Sequence, residues 1–156
     1  MRRKIFFTVT ITLLFVSCLP VFDNIPLMQI VNRTGDTILV GRAYYDNIDS
    51  ITYFVETLVC DTTKVKFKLK EDLEIVGSNK IAPDSFAIDD ARIYSGQDGK
   101  GYFYIFKYNA IKNHTWEDIC KNNLYDTLVV TQEMLKQGNR IEYHGNKKKK
   151  TGDGSE

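Results

Sequence analysis

The sequence predicts a mainly β protein, a single β-sandwich-like domain with one or two short helices near the C-terminus. Short runs rich in β-branched and aromatic residues recur along the chain, and clusters of Gly, Asn, Asp and Pro separate them. Helix start signals occur in the last third, where Thr115 and Thr131 each precede a short apolar pattern. Of the 156 residues, those after residue 17 are enough for one domain with a substantial core.

The chain begins with the pattern of a secretory leader. Three basic residues at positions 2–4 precede the apolar run Ile5–Val16, and the small residue Ser17 follows it. Cys18 comes next, and this junction resembles a lipobox, the cleavage motif of bacterial lipoproteins. The pattern predicts that residues 1–17 are a signal peptide. The resemblance to a lipobox implies that Cys18 becomes an N-terminus carrying diacylglycerol and a further acyl chain such as palmitate.

An uncleaved transmembrane anchor is the alternative for this segment. It needs about 20 apolar residues to cross a bilayer, and Pro20 and Asp23 interrupt the run earlier. A plain secretory cut is also disfavoured, because Phe15 is large where that cut prefers a small residue. Several acyl chains would hold the protein firmly at the membrane. Residues 18–26 are predicted to be a tether, because Pro20 and Pro26 bracket a short stretch that must leave the bilayer before folding begins.

Strand signals begin directly after the tether. The runs Leu27–Val31 and Thr37–Gly41 flank the turn formers of Asn32–Asp36, which predicts a first hairpin. Ile51–Val59 is the next strand candidate, because β-branched and aromatic residues dominate it. Val65–Lys70 alternates apolar residues with lysines, which predicts an edge strand with one buried face.

The middle of the chain continues as short strands. Leu73–Val76 is one candidate, and others are predicted around Phe86–Ile88 and at Ala91–Tyr94. The turn Gly96–Gly101 leads into Tyr102–Tyr108, whose apolar and aromatic residues occupy both alternating positions. We therefore expect Tyr102–Tyr108 to be a central strand that is covered on both faces.

The clearest helix follows this strand. Thr115 and Asp118 have the spacing of a capping box, which satisfies backbone donors at a helix start. Trp116, Ile119 and Cys120 share one face of the resulting helix, as residues three or four apart do. This pattern predicts a short helix with one apolar face.

The last segments return to strand. Asp126–Val130 and Arg140–His144 are rich in strand-forming residues, and Arg140–His144 is expected to close the sheet. Thr131 is predicted to cap a short helical turn between them, and Gly138 to end that turn.

Charge is divided unequally between the body of the chain and its tail. The whole chain has a formal net charge of +1, but residues 18–146 hold 14 basic residues against 18 acidic ones, a formal charge of −4. An acidic body lacks the basic footprint of a nucleic-acid-binding protein. We predict a globular domain at 27–146, a disordered polar tail at 147–156 and no nucleic-acid partner.

The chain lacks the common catalytic and metal-binding motifs. Its two histidines, His114 and His144, lie at no metal-ligand spacing from each other or from cysteine. Cys60 and Cys120 are predicted to be buried thiols, although an exported location also permits a disulfide. The acids at 89–90 would point to opposite faces of a strand and are interpreted as turn or surface charges. The sequence thus predicts no metal, no cofactor and no catalytic residue.

Several of these patterns occur together in one known group of proteins. The aromatic strand Tyr104–Phe106, the helix Trp116–Ile119 and the segment Leu128–Leu135 resemble the C-terminal half of small uncharacterised lipoproteins of Bacteroidota. Asn32–Ile38 resembles their opening hairpin. The resemblance implies an envelope location and a β-rich fold, and it implies no particular activity.

The same resemblance implies candidate modification sites. O-glycosylation in that phylum uses Asp followed by Ser or Thr and then an apolar residue or Thr. Such pairs are also ordinary turn formers, so unmodified side chains stay an alternative at each site. The candidate acceptors are Thr37, Ser50, Thr62 and Thr127.

One aromatic pair is a candidate ligand surface. Tyr44 and Tyr45 are followed by Asp46 and Asn47, a combination of rings and polar groups that suits a sugar. Aromatic residues also fill the cores of sandwiches, so burial of Tyr44 and Tyr45 is the alternative.

These observations predict a lipid-anchored protein of the cell envelope, attached to the outer membrane through its N-terminal lipid, on either the periplasmic or the surface face. The expected role is a non-enzymatic binding or accessory module for a protein or glycan partner. A small envelope hydrolase that uses carboxylates is one alternative, and an assembly subunit of a surface complex is another. Paired acids in a cleft would favour the hydrolase.

Overall fold

Two β-sheets face each other in the computed structural model of the chain, which describes residues 27–58, 64–70, 73–91 and 99–145. Short helices and a separate strand pair accompany the sheets. The strands are β1 (Leu27–Asn32), β2 (Ile38–Ala43), β3 (Ile51–Phe54), β4 (Lys64–Lys70), β5 (Leu73–Val76), β6 (Phe86–Asp90), β7 (Lys100–Lys107), β8 (Asp126–Thr131) and β9 (Arg140–Tyr143). The helices are α1 (Tyr108–Ile111), α2 (Trp116–Lys121) and α3 (Gln132–Gln137), with 3₁₀ turns at Ile48–Ser50 and Gly77–Asn79.

The two sheets differ in strand direction. The larger sheet has the order β3-β2-β7-β8 and is antiparallel throughout. In the smaller sheet, β6-β1-β9, β6 is antiparallel and β9 parallel to β1. The predicted lysine-rich strand lies in β4, which pairs with β5 in a separate ladder. This arrangement confirms the predicted mainly β, sandwich-like fold.

The main core lies between the two sheets. Alternate residues of β1 and β2, such as Ile30 and Val40, point into it and are fully buried. Phe103 and Ile105 of β7 fill its centre, and Ile141 of β9 contributes from the edge. Because strand side chains alternate between faces, each sheet supplies every second residue to this layer.

A second core covers the other face of the larger sheet. Leu39 of β2 and Phe106 of β7 pack there against Ile111 of α1, Ile119 of α2 and Ile75 of β5. The larger sheet is therefore covered on both sides, by the smaller sheet and by the helices with β5. Residues Tyr102 to Phe106 are all buried, which confirms the prediction of a central strand with two covered faces.

The predicted first hairpin is wrong. β1 and β2 lie in different sheets and face each other across the main core instead of pairing edge to edge. The connection between them is held by Asn32, whose amide nitrogen donates to the carbonyls of Asp36 and Ile81 at 2.8 Å and 3.0 Å. Its Oδ1 accepts from the backbone and hydroxyl of Thr34. Turn residues alone do not distinguish a hairpin from such a crossing.

The third strand is shorter than predicted, because the chain leaves the larger sheet after Phe54. The N–H of Val55 still bonds to the carbonyl of Val40. Glu56 then forms a bridge with Ile88 of β6. The segment thus passes from one sheet to the other and closes that side of the sandwich.

The helix signals of the sequence are confirmed. The hydroxyl of Thr115 accepts from the N–H of Asp118, and the Asp118 carboxylate accepts from the N–H of Thr115, which completes the capping box. The Thr131 hydroxyl accepts from the N–H of Met134 and so caps α3, and Gly138 follows the last residue of that helix. The single-turn helix α1 was not predicted; it continues directly from β7 and makes three short helices where one or two were expected.

Several predictions fall outside the described residues. These are the signal peptide, Cys18 and the tether, together with Cys60, Thr62 and the tail after residue 146. Ala91 is buried at the end of β6, and the rest of the predicted strand there is also outside. In the part of the chain that the structure describes, no helix is long and apolar enough to cross a bilayer.

Candidate functional site

The loop between β2 and β3 presents two tyrosines to solvent. Tyr44 is 53% exposed and Tyr45 is 64% exposed. Asp46 and Asn47, which follow them, are also exposed. The alternative that these tyrosines fill a core is therefore wrong, whereas a ligand on them stays a prediction.

Short hydrogen bonds give this tyrosine loop (residues 44–50) a fixed backbone. The N–H of Asn47 donates to the carbonyl of Tyr45 at 2.7 Å. The Ser50 hydroxyl donates to the carbonyl of Asn47 at 2.6 Å, and the Asn47 side chain accepts from the N–H of Asp49 at 2.9 Å. A loop held in one conformation loses less entropy when a ligand binds.

Two side-chain contacts attach the tyrosine loop to the body of the domain. The Tyr104 hydroxyl of β7 donates to Oδ1 of Asp46 at 3.4 Å, and Trp116 Nε1 of α2 donates to Oδ1 of Asp49 at 3.0 Å. Burial, and then the nearby Asp46 carboxylate, raise the pKa of Tyr104. Tyr104 therefore stays neutral and remains a donor to the loop.

An aromatic cluster lies beside these attachment points. The rings of Tyr104 and Tyr125 meet edge to face, with centroids 5.5 Å apart. The ring of Phe106 packs against the rings of Tyr125 and Trp116, with centroid distances of 6.2 Å and 6.4 Å. Such ring contacts stabilise beyond the area they bury, so the cluster gives the tyrosine loop a firm support.

A groove of about 250 Å³ lies next to this cluster, lined by residues from the end of β7, from α1 and from the segment that leads into β8. Ile105, Ala110, Leu124 and the ring of Tyr125 form part of its lining, and the remaining lining is polar. The polar lining residues are Lys107, Asn123 and Asp126.

The charges at the groove are already paired within the protein. Lys107 Nζ lies 2.7 Å from Oδ2 of Asp36, and this hydrogen bond raises the pKa of Lys107. The Asp126 carboxylate accepts a hydrogen bond from the hydroxyl of Tyr143.

The backbone of Asn123 has a φ of 48°, which Asn adopts more readily than most residues. Sequence reasoning missed this groove, because its residues are far apart in the chain.

The three candidate glycosylation sites that the structure describes differ in accessibility. Thr127 is exposed on β8, whereas Thr37 is only partly exposed before β2. The Ser50 hydroxyl is engaged with the carbonyls of Asn47 and Tyr45. Accessibility therefore favours Thr127 among them, and modification stays a prediction.

The structure also contains a buried polar cluster that the sequence did not reveal. Asp89 was interpreted as a turn or surface charge, and that interpretation is wrong. Its carboxylate is buried between the sheets, where it pairs with Arg42 and accepts from the Tyr53 hydroxyl at 2.6 Å. Burial and this hydrogen bond raise the pKa of Tyr53. Arg42 shares the alternating positions of Ile38 and Val40, a signal that its charge points into the core.

The exposed carboxylates with shifted pKa values are held in their ionised form. Hydrogen bonds from Thr115 lower the pKa of Asp118, and hydrogen bonds from Arg33 lower that of Glu142. His114 and His144 are both exposed. Across the described ranges, no group of three or more His, Cys, Asp or Glu residues is arranged to hold a metal ion.

The comparisons with known proteins add no relative to this description. The chain matches no known protein family, no curated protein and no solved structure.

Proposed function

We propose that this chain is a lipid-anchored cell-envelope protein that acts as a non-enzymatic binding module, attached to the outer membrane through Cys18. The tyrosine loop is its binding surface for a protein or glycan partner. The lipobox-like junction before Cys18 supports the anchor. The observation that supports binding is the exposure of Tyr44 and Tyr45 on a loop that hydrogen bonds, both within the loop and to Tyr104 and Trp116, hold in place.

The geometry favours binding over hydrolysis. A hydrolase that uses carboxylates needs one acid with a raised pKa beside a second acid in a cleft. The shifts at Asp118 and Glu142 are downward, and both side chains serve a structural partner. Exposed aromatic rings beside polar groups instead suit recognition, because a ring supplies a large contact area at low cost in entropy.

The anchor is tested by the intact mass of the protein purified from its own membrane, compared with a Cys18→Ala variant. We expect a mass that starts at Cys18 and includes acyl chains, and we expect the variant to lose both features. A remaining mass excess would report glycans, and Thr127→Ala should reduce it. An unlipidated or uncleaved wild-type protein would refute the anchor.

The binding surface is tested by placing a photo-crosslinking amino acid at position 45 in cells that express the full chain. We expect a distinct crosslinked species after irradiation. The matched control places the same amino acid at Leu58, which is 73% exposed elsewhere on the domain. Equal crosslinking at both positions, or none at position 45, would contradict a specific surface on the tyrosine loop.

An assembly subunit is the second candidate. Among the described residues, β8 pairs with β7 on one side only, and Thr127 and Val129 on it are exposed. Such an edge can accept a strand from another chain. Crosslinking from position 129 that is lost in a strand-breaking Thr127→Pro variant would favour this role.

A further inference from the structure

We propose that the groove between the end of β7, α1 and residues 123–126 binds one neutral sugar ring. The inference deepens the proposed function, on which it rests, by naming the ligand class. One ring pair links the tyrosine loop and the groove, since Tyr104 donates to Asp46 of the loop while its neighbour Tyr125 lines the groove.

The size of the groove limits the ligand. Sites for drug-sized molecules occupy roughly 300–1,000 Å³, and this groove has about 250 Å³. It accepts a ligand of about one sugar ring.

The charges of the groove favour a neutral ligand. Lys107 lies beside Asp36 at 2.7 Å, and Asp126 also raises the pKa of Lys107 through its charge. A small anion would meet the two carboxylates, and a small cation would meet the ammonium group. A neutral molecule meets neither repulsion and leaves the Lys107 to Asp36 pair intact.

The hydrogen-bonding groups match hydroxyls. The Lys107 ammonium has three N–H donors, of which Asp36 takes one. The side-chain oxygen of Asn123 accepts from the Tyr125 hydroxyl at 3.4 Å, which leaves the two amide N–H groups as donors. The Asp126 carboxylate supplies acceptors. A sugar hydroxyl both donates and accepts, and the Tyr125 ring and Leu124 provide an apolar surface for the C–H face of the ring.

The test is saturation-transfer NMR with the full chain in a phosphocholine detergent, which contains no sugar. The probes are the methyl glycosides of glucose, galactose, mannose, xylose and N-acetylglucosamine. We expect at least one of them to bind. We also expect Asn123→Gly, which tolerates the positive φ, to weaken that binding about two- to ten-fold, the contribution of one hydrogen bond.

A matched pair of lysine variants locates the binding. Lys107→Met should weaken the glycoside, because it removes the ammonium donors of the groove. Lys112→Met removes an exposed lysine outside the groove lining and should leave binding unchanged. The absence of binding by all five glycosides, or equal binding by wild type, Asn123→Gly and Lys107→Met, would overturn the inference. Preferential binding of ethylammonium or acetate would also overturn it.

The two proposals fail separately. If position 45 crosslinks a partner and no glycoside binds the groove, the tyrosine loop remains the binding surface and the sugar inference is wrong. If a glycoside binds the groove and position 45 crosslinks nothing, the groove stands as a sugar site and the tyrosine loop is not the binding surface.

Discussion

Arg42 and Asp89 form an ion pair that joins the two sheets, with Nη1 and Oδ2 2.9 Å apart and side chains that are 2% and 5% exposed. Arg42 comes from β2 in the larger sheet and Asp89 from β6 in the smaller one. The Tyr53 hydroxyl completes the cluster, since it accepts from Arg42 at 3.2 Å and donates to Asp89. The Arg42 guanidinium also lies over the ring of Phe103. The cluster thus connects the two sheets through buried polar contacts, at positions that face the core.

Removing one partner of this pair should strongly destabilise the domain. Asp89→Asn leaves Arg42 buried without its counter-charge, and breaking a buried pair in this way costs about 3–5 kcal/mol. Chemical denaturation of the wild type and of Asp89→Asn, monitored by the fluorescence of Trp116, measures the difference in their free energies of unfolding. Tyr53→Phe removes the hydroxyl that bonds to both Arg42 and Asp89 but keeps the ion pair, so it should cost less, about 1–3 kcal/mol.

The control for this prediction is the same substitution in an exposed pair. Asp84 contacts Arg33 at 3.0 Å, but its side chain is 79% exposed. Asp84→Asn should change the free energy of unfolding by less than about 1 kcal/mol. Equal losses in Asp84→Asn and Asp89→Asn would show that burial does not determine the strength of these pairs.

Asn32 should be the residue that fixes the crossing between the sheets. It is fully buried, and its side chain uses both donors and its acceptor oxygen within the protein. Asn32→Asp keeps the shape of the side chain but removes the amide N–H groups that donate to the carbonyls of Asp36 and Ile81. A buried carbonyl that is left without a donor costs about 1–3 kcal/mol of stability. We expect a lower denaturation midpoint than in Asn47→Asp, where the exposed side chain acts as an acceptor.

A side chain at Gly41 should destabilise the domain. An added Cβ would lie 3.0 Å and 3.1 Å from two carbons of Ile51 and 3.3 Å from Phe54. Gly41→Ala overpacks this interface and should cost about 1–3 kcal/mol in thermal or chemical unfolding. Gly35→Ala is the control, because nothing lies within 4 Å of its added Cβ. A destabilised Gly35→Ala with an unchanged Gly41→Ala would contradict the packing at β2 and β3.

The capping box at Thr115 should produce a measurable pH dependence. Its hydroxyl and backbone N–H donate to Asp118 and lower the pKa of that carboxyl below the ordinary 3.8. Because the folded state binds this proton less readily than the unfolded state, the contribution to stability is present above pH 3.8 and is lost as the pH falls through the folded pKa.

Carbon-detected NMR titration of Asp118 measures this effect. Thr115→Val should raise the pKa of Asp118 towards its ordinary value, because the hydroxyl donor is removed while the backbone donor stays. Thr131→Val is the control, since Thr131 caps α3, whose third residue is Met134 and not a carboxylate. A pKa of Asp118 that is identical in wild type and Thr115→Val would refute the assigned cause.

Much of the fold could be predicted because its signals are local. Residues Tyr102 to Tyr108 predicted a doubly covered strand through their pattern alone, and Thr115 and Thr131 predicted helix starts through hydrogen bonds to residues three positions away. The hairpin at Asn32–Asp36 was wrong for the opposite reason. Whether two strands pair or face each other depends on Ile81 and on β6, which lie about 50 residues further along the chain.

The candidate site was only partly predictable. Tyr44 and Tyr45 were identified from their neighbours, but only the structure showed that they are exposed. The groove was invisible in the sequence, because Lys107 and Asp126 meet only after β7 and β8 have paired.

The sequence by itself determined the mainly β class, the central strand and the helix caps, since residue pattern and near-neighbour hydrogen bonds fix these features. It also predicts a signal peptide at residues 1–17, before Cys18. The tertiary structure decided which strands share a sheet, which charges are buried and which rings face solvent. These outcomes depend on contacts between distant segments, such as Arg42 with Asp89, and their energies arise only when packing removes both groups from water.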